Sequence, residues 1–386
     1  MGVNELKEAL IFLCKGQFWR MAVIWTISLI LSYLQLFAQR HFLRKSKFYE
    51  RSASSNPAIA SIKKPICIIT GTTSGLGATV SYALAKEGYY VVLAVCERNL
   101  GRNFWFPMWD TVDATLQWNL LVFDITGRSM HSLSKEVMGS SRGNNLLQKC
   151  EIVSEIQEQI DDACVKAFQV DLSSYKSILS FKHFLQQWLL DSDLHCSVQL
   201  LINNAGMLAT SYRITAEQCD QMMSTNYIGP FCLTKLLLPL LEQSPIPSRV
   251  VNVTSFTHWN VSSMEVTGET ISGQYFSKLS SYPFAQVYEY SKLCILLFTY
   301  ELHRQVGLVE KSHSVSVIAA DPGVVKTNIM REIPSCLSWL AFYVLKLLGL
   351  LQSPEVGIGS VVDAVHAPPD LLVEVEAQHS LELVSL

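Results

Sequence analysis

A tyrosine and a lysine four residues apart, Tyr288 and Lys292, are the pair in this chain best suited to acid–base chemistry. A free phenol titrates near ~10 and exchanges protons poorly at neutral pH. On a helix, a lysine one turn further on shares the phenol's face, and its positive charge favours the phenolate. That moves the phenol towards the range general acid–base catalysis requires. The spacing alone is common in long chains. Its setting is not: a strand-like run ending in hydroxyls, Arg249-Val-Val-Asn-Val-Thr-Ser255, precedes it, and an apolar helical run at 293–298 follows.

A second element lies upstream. Residues 64–71 read as a short buried strand running into a turn that carries Gly71, Gly75 and Gly77. A helix over 78–86 and a second buried strand over 88–94 follow. A dinucleotide phosphate needs this arrangement, because glycines let the backbone approach the pyrophosphate and a helix N-terminus offers free N–H groups and a positive dipole end.

Together these elements resemble the short-chain dehydrogenase/reductase superfamily over roughly residues 63–366, and further marks follow in order. The resemblance implies a Rossmann-type α/β fold, a single domain with a doubly wound parallel sheet, here preceded by an N-terminal membrane helix. It assigns Thr70, Gly71, Thr73, Ser74, Gly75, Leu76 and Gly77 to the dinucleotide turn, and Asp171 with Leu172 to the adenine. Asn204, Ala205 and Gly206 follow the fourth strand. Pro322, Gly323, Val325 and Thr327 belong to the loop that holds the nicotinamide carboxamide. Asn226, Ser255, Tyr288 and Lys292 form the catalytic tetrad.

The same resemblance gives each tetrad member a role. Tyr288 exchanges a proton with the substrate oxygen. Lys292 lowers the tyrosine's pKa and hydrogen-bonds the nicotinamide ribose. Ser255 stabilises charge developing on that oxygen, and Asn226 holds a water linking the lysine to solvent. Thr254 competes with Ser255 by adjacency, while Tyr290 reads as a packing or substrate-lining aromatic. The implied cofactor is NADP or NAD. The second strand ends in Ala94-Val-Cys-Glu97-Arg98, where an acid favours NAD and an arginine NADP, and Arg98 gives a slight lean to NADP.

The 386 residues suffice for one such domain with extensions. A 49% hydrophobic content is high for a water-soluble protein. A formal charge of -3 offers no basic footprint for nucleic acid. Ten cysteines without a Cys-x-x-Cys pair argue against zinc and against a disulfide framework, so no metal is expected.

The apolar surplus concentrates at 21–38, an uncharged stretch that would span about 27 Å as a helix, near the hydrocarbon thickness of a bilayer. A buried core helix is the alternative. Arg40, Arg44, Lys45, Lys47 and Arg51 follow, which by the positive-inside tendency places the downstream domain in the cytosol, with the endoplasmic reticulum as the expected membrane. The expected order is a flank at 1–20, the anchor at 21–38, a basic linker at 39–62, the catalytic domain at 63–366 and a tail at 367–386. A second apolar stretch at 336–351 matches the family's substrate flap, and Lys346 within it suits a helix lying on a membrane surface. Its lining points to a lipophilic alcohol or carbonyl of retinoid, steroid, polyisoprenoid or fatty type.

Three departures qualify the match. From Val95 to Asp171 the chain runs about twice as far as one crossover helix and a strand need, with the surplus at 99–145 containing Trp105, Trp109 and Trp118. The end of the domain is short, with 371–375 the candidate last strand. The interval between Ser255 and Tyr288 is long, as in the membrane-bound, retinol-dehydrogenase-like branch. The N-terminal layout further resembles plant members of the Forever Young type, which are tied to shoot development. The reading is an NAD(P)(H)-dependent interconversion of a lipophilic alcohol and its aldehyde or ketone, with a homodimer compatible. The alternative is a membrane-tethered, catalytically weak nucleotide-binding regulatory protein.

Overall fold

Runs rich in Val, Ile and Leu form the strands of one parallel sheet, the pattern expected where both sheet faces are covered. They are β1 (Ile66–Thr70), β2 (Tyr90–Val95), β3 (Val165–Gln169), β4 (Leu200–Asn203), β5 (Ser248–Val253) and β6 (Val315–Ala320), with a short β7 (Glu374–Val375) at the edge. The computed structural model describes residues 3–42, 64–96, 151–307, 315–368 and 374–375. The sheet order is β3-β2-β1-β4-β5-β6-β7. The candidate strand at 371–375 is thus present as β7, whose Glu374 and Val375 pair with Ala319 and Ala320. Arg98 and the 99–145 surplus lie outside the described residues.

Alternate strand residues point to opposite faces, so the sheet has two cores. On one side Ile66, Ile68, Val92, Leu201, Val250 and Val317 pack under helices α6 (Tyr175–Asp191), α7 (Gly229–Glu242) and α8 (Phe284–Gly307). On the other, Ile69, Val91, Leu93, Ile202, Val251 and Ile318 meet α4 (Gly75–Lys86), α5 (Glu151–Gln159) and α10 (Pro354–His366). This is the doubly wound α/β architecture expected. The sheet order reverses between β1 and β4, and in open parallel sheets the crevice at such a reversal is where ligands bind.

A buried polar network ties the first of these layers together below that crevice. Asn203 Nδ2 donates to Thr234 Oγ1 at 2.9 Å and to Asn252 Oδ1 at 2.7 Å, and Asn252 Nδ2 donates to Thr299 Oγ1 at 2.8 Å. The chain links β4, β5, α7 and α8. Removing one member would strand its partners at a cost of about 1–3 kcal/mol each.

The N-terminal helices lie against this body. Helix α1 (Val3–Leu13) is followed by α2 (Gly16–Trp19), a π-helical turn at Arg20–Trp25 and α3 (Thr26–Phe42). The stretch Gly16–Gln35 is the one helix among the described residues long and apolar enough to cross a membrane. Here one of its faces is docked: Phe18, Met21 and Trp25 join a core with Phe284 and Val287 of α8, and Leu29 is buried with Phe256 and Leu350.

Candidate active site

The glycine turn is built by close approaches that only glycine allows. Gly71 has φ +69°, and a Cβ on it would come within 2.7 Å of Ala205 Cα. A Cβ on Gly77 would lie 2.6 Å from Asn204 Nδ2. Thr70, at the end of β1, holds the neighbouring loop: its Oγ1 accepts from the N–H groups of Asn204 and Ala205, both at 3.0 Å. Asn204 Nδ2 returns a bond to the Thr70 carbonyl at 2.9 Å. Beyond the turn Ser74 caps α4 with extended backbone and no side-chain cap bond, so the helix N-terminus faces the cleft with its backbone donors. This cradle suits a dinucleotide pyrophosphate.

Helix α8 starts after Pro283 and carries Tyr288, Glu289 and Lys292 on its first turns. Ser255 follows β5, caps the short 3-10 turn Phe256–Asn260 by accepting from Thr257 N–H at 3.4 Å, and has its hydroxyl near enough to Tyr288 to favour the phenolate. Thr254 instead donates to the Lys292 carbonyl at 3.3 Å. Lys292 is 4% exposed; its Nζ donates to the Val253 carbonyl at 3.0 Å and lies 5.7 Å from the centre of the Tyr288 ring.

Burial lowers the ammonium of Lys292 to about 8, against an opposing pull from Asp321. Burial also raises Tyr288, and the negative charge of Asp321 raises it further, while the Ser255 hydroxyl works the other way. The lowering of Tyr288 expected from the four-residue spacing is therefore not seen here. The lysine that was to supply it is desolvated, and a carboxylate lies within reach of both groups.

Asn226 sits in a π-helical turn, Ser224–Ile228, a deformation common at functional sites. Its side chain grips the loop after β4, with Nδ2 donating to the Met207 carbonyl at 2.9 Å and Oδ1 accepting from Met207 N–H at 2.8 Å. The second amide hydrogen goes to Ser291 Oγ at 3.1 Å. Both amide hydrogens are thus engaged within the protein, and the side chain braces the loop. Tyr290 stacks on Phe276 and bonds the Ser263 carbonyl, and it does not line the cleft.

One cavity of about 810 Å³ collects most of the expected residues. Thr70, Gly71, Thr73, Ser74, Leu76 and Gly77 line one end, with Asp171, Leu172, Asn204, Ala205 and Gly206 beside them. Ser255, Tyr288 and Lys292 face it, as do Pro322, Gly323, Val325 and Thr327. Gly75 contributes from behind, at φ +59°, where a Cβ would meet Thr327 Cγ2 at 3.0 Å. The far end is apolar, formed by Leu337, Leu340, Ala341 and Leu345 of helix α9 (Ser335–Leu347) and, beyond the sequence-based expectation, by Phe18, Met21, Trp25 and Leu29. The cradle and the polar end fit a nicotinamide dinucleotide.

The short chain dehydrogenase family profile matches residues 125–266. A chloroplastic short-chain dehydrogenase TIC 32 B of Brassica napus is 30% identical over 309 residues, covering 79% of this chain and 76% of that one. Human polyprenol dehydrogenase is 29% identical over 78% of this chain and 73% of its own length. The Arabidopsis thaliana family member FEY is 28% identical over 73% of this chain and 60% of its own, and retinol dehydrogenases are also related. Among solved structures, an actinorhodin polyketide ketoreductase shares the fold, with a TM-score of 0.51 at 19% identity over 81% of this chain and 95% of that one. The chain belongs to the short-chain dehydrogenase/reductase family, in its retinol-dehydrogenase-like branch. It is an NAD(P)-dependent oxidoreductase.

A Gly77→Ala variant is expected to fold yet to bind dinucleotide at least about tenfold more weakly, a loss of about 1.4 kcal/mol, because the added methyl collides with the Gly71 carbonyl and distorts the turn. A fluorescence titration with NADPH and NADH reads this directly, and unchanged affinity would remove the turn from the binding site.

Proposed function

We propose that the protein interconverts a lipophilic alcohol and its aldehyde or ketone, with Tyr288 exchanging the proton. The observation that carries this reading is that Tyr288, Ser255 and Lys292 open into the same cavity as the glycine turn, with an apolar far end. When bound, the dinucleotide supplies or accepts the hydride. The protein's part is the proton and the charge. Ser255 and Tyr288 offer two hydroxyls to one substrate oxygen, and a donor aimed where charge develops is worth most in a water-poor site. In reduction, hydride adds to the carbonyl carbon and the Tyr288 proton to the oxygen. Lys292 holds a positive charge beside the phenolate so formed, and Asn226 fixes the Met207 loop that borders the ammonium.

Several observations narrow the substrate. The apolar wall of α9 and the relatedness to polyprenol and retinol dehydrogenases together support an isoprenoid alcohol or its carbonyl. For the cofactor, Arg98 after β2 gives a lean to NADP. We further infer that the protein lies on a membrane. Trp339 and Leu347 of α9 are 66% and 69% exposed, Trp339 stacks on Tyr343, and Leu31 and Leu34 of α3 also face outward. A helix docked along one face and apolar on the other suits insertion in the plane of the bilayer better than crossing it. The basic residues at 40–51 favour a cytosolic domain, on the endoplasmic reticulum as the sequence reading expects.

Three outcomes test this. Membranes carrying the wild type should reduce retinal or a polyprenal, and Tyr288→Phe should lose at least about a hundredfold in kcat while still binding dinucleotide. If no carbonyl gives turnover that Tyr288→Phe abolishes, while the wild type binds nucleotide, the regulatory-protein reading prevails. Reduction at saturating dinucleotide should hold below pH about 8 and fall above it, as the Lys292 ammonium, lowered to about 8 by burial, loses its proton; a profile flat to pH ~9.5 would contradict this role. NADPH should bind more tightly than NADH, and Arg98→Ala should erase the difference in a competitive titration.

A further inference from the structure

The acid that follows the catalytic tyrosine is buried, and its partners come from the far end of the chain. The Glu289 side chain is 1% exposed. Arg20 Nε donates to its Oε1 at 2.8 Å, and Arg20 Nη2 donates both to Oε2 and to the Asn260 carbonyl at 3.2 Å. Trp25 Nε1 donates to Glu289 Oε1 at 2.6 Å. With its indole held there, the Trp25 ring centre lies 5.6 Å from that of Tyr288, and Trp25 lines the substrate end of the cavity. One turn later Ser28 hydrogen-bonds Asn260, the last residue of the 3-10 turn that Ser255 caps. Tyr33 accepts a bond from Gln352, beyond α9. An anchor that served only as a tether would need none of these contacts.

A buried carboxylate is expensive unless paired and hydrogen-bonded. Glu289 therefore makes the catalytic domain dependent on the N-terminal helix, and the pairing fixes where the tryptophan stands. We propose that the N-terminal helix is a wall of the substrate site, in which Trp25 limits how bulky a carbonyl reaches Tyr288 and the Arg20–Glu289 pair holds Trp25 in place. The proposal rests on the oxidoreductase reading above. Trp25 acts as a specificity-determining residue, and Arg20 as a positioning residue acting through Glu289 and the helix.

The test has one arm that needs no turnover. In full-length protein in membranes, Ser28→Cys combined with Asn260→Cys should form a disulfide on mild oxidation, and neither single variant should give the same product. Adding Arg20→Ala should reduce its yield severalfold, and Arg20→Lys should restore part of it. Arg20→Ala strands a buried carboxylate and risks unfolding, so Arg20→Ala with Glu289→Gln is made alongside it, and dinucleotide binding reports that the domain is folded. In the activity arm, Trp25→Ala should raise kcat/KM for a ketone branched beside the carbonyl, relative to a short unbranched aldehyde, by at least about tenfold. Trp25→Phe should stay near the wild type.

Absence of the disulfide in protein that binds dinucleotide would show that the helix is not docked and overturn the proposal. So would a Trp25→Ala variant that changes both substrates equally. If the disulfide forms but no carbonyl is turned over by the wild type, the oxidoreductase reading fails. The wall is then refuted as a specificity device, while the docking stands.

Discussion

The reversal of sheet order between β1 and β4 is the constraint on which the rest of the site depends. Strands on either side of it send their connections to opposite faces, so the chain parts above Thr70 and Asn203 and leaves a crevice. What makes the crevice narrow and rigid is backbone contact at its floor. Gly71 lies against Ala205, Gly77 lies against the Gly71 carbonyl, and the Thr70 hydroxyl serves two N–H groups of the facing loop. The polar chain from Asn203 to Thr299 then fixes α8 relative to that floor, and through α8 the position of Tyr288.

Within the crevice, electrostatics and burial pull in different directions. A lysine with little solvent and one carbonyl partner gives up part of its charge, and a phenol in the same place resists ionising. Asp321, buried at the end of β6 and bonded to the N–H of Gly323, adds a negative charge near both. The site thus holds its tyrosine protonated and leaves its lysine a weaker base than usual, still charged below about pH 8.

What the sequence made legible was what local chemistry specifies. Glycines at 71, 75 and 77 between a buried strand and a helix admit few other readings, and Ser255, Tyr288 and Lys292 lie in the order and context that the family requires. The parallel strands followed from their unbroken apolar runs, and even the two-residue β7 fell inside the expected stretch. What was not legible depends on partners distant in sequence. Glu289 reads as a spacer between two tyrosines until Arg20 and Trp25 are seen against it. An apolar helix reads alike whether it faces lipid or protein, so the docked face of α3 carries no sequence signature. The spacing that suggested a lowered tyrosine pKa says nothing of Asp321, and Asn226 gave no sign that both its amide hydrogens were already engaged.

The π-helical turn at Arg20–Trp25 has a geometric consequence. In a regular α-helix, positions five apart point about 140° away from each other. A π turn bonds residue i to i+5 and brings such positions onto the same side of the helix. That is how Arg20 and Trp25 converge on a single carboxylate. One residue fewer in this turn would restore ordinary winding and rotate everything before it by about 100° relative to α3. Phe12 and Phe18 would then face away from Phe284, although the helix would be shorter by a single residue and as apolar as before. Any measure of membrane affinity based on composition would score the two chains alike, and only the phase of the helix would tell them apart.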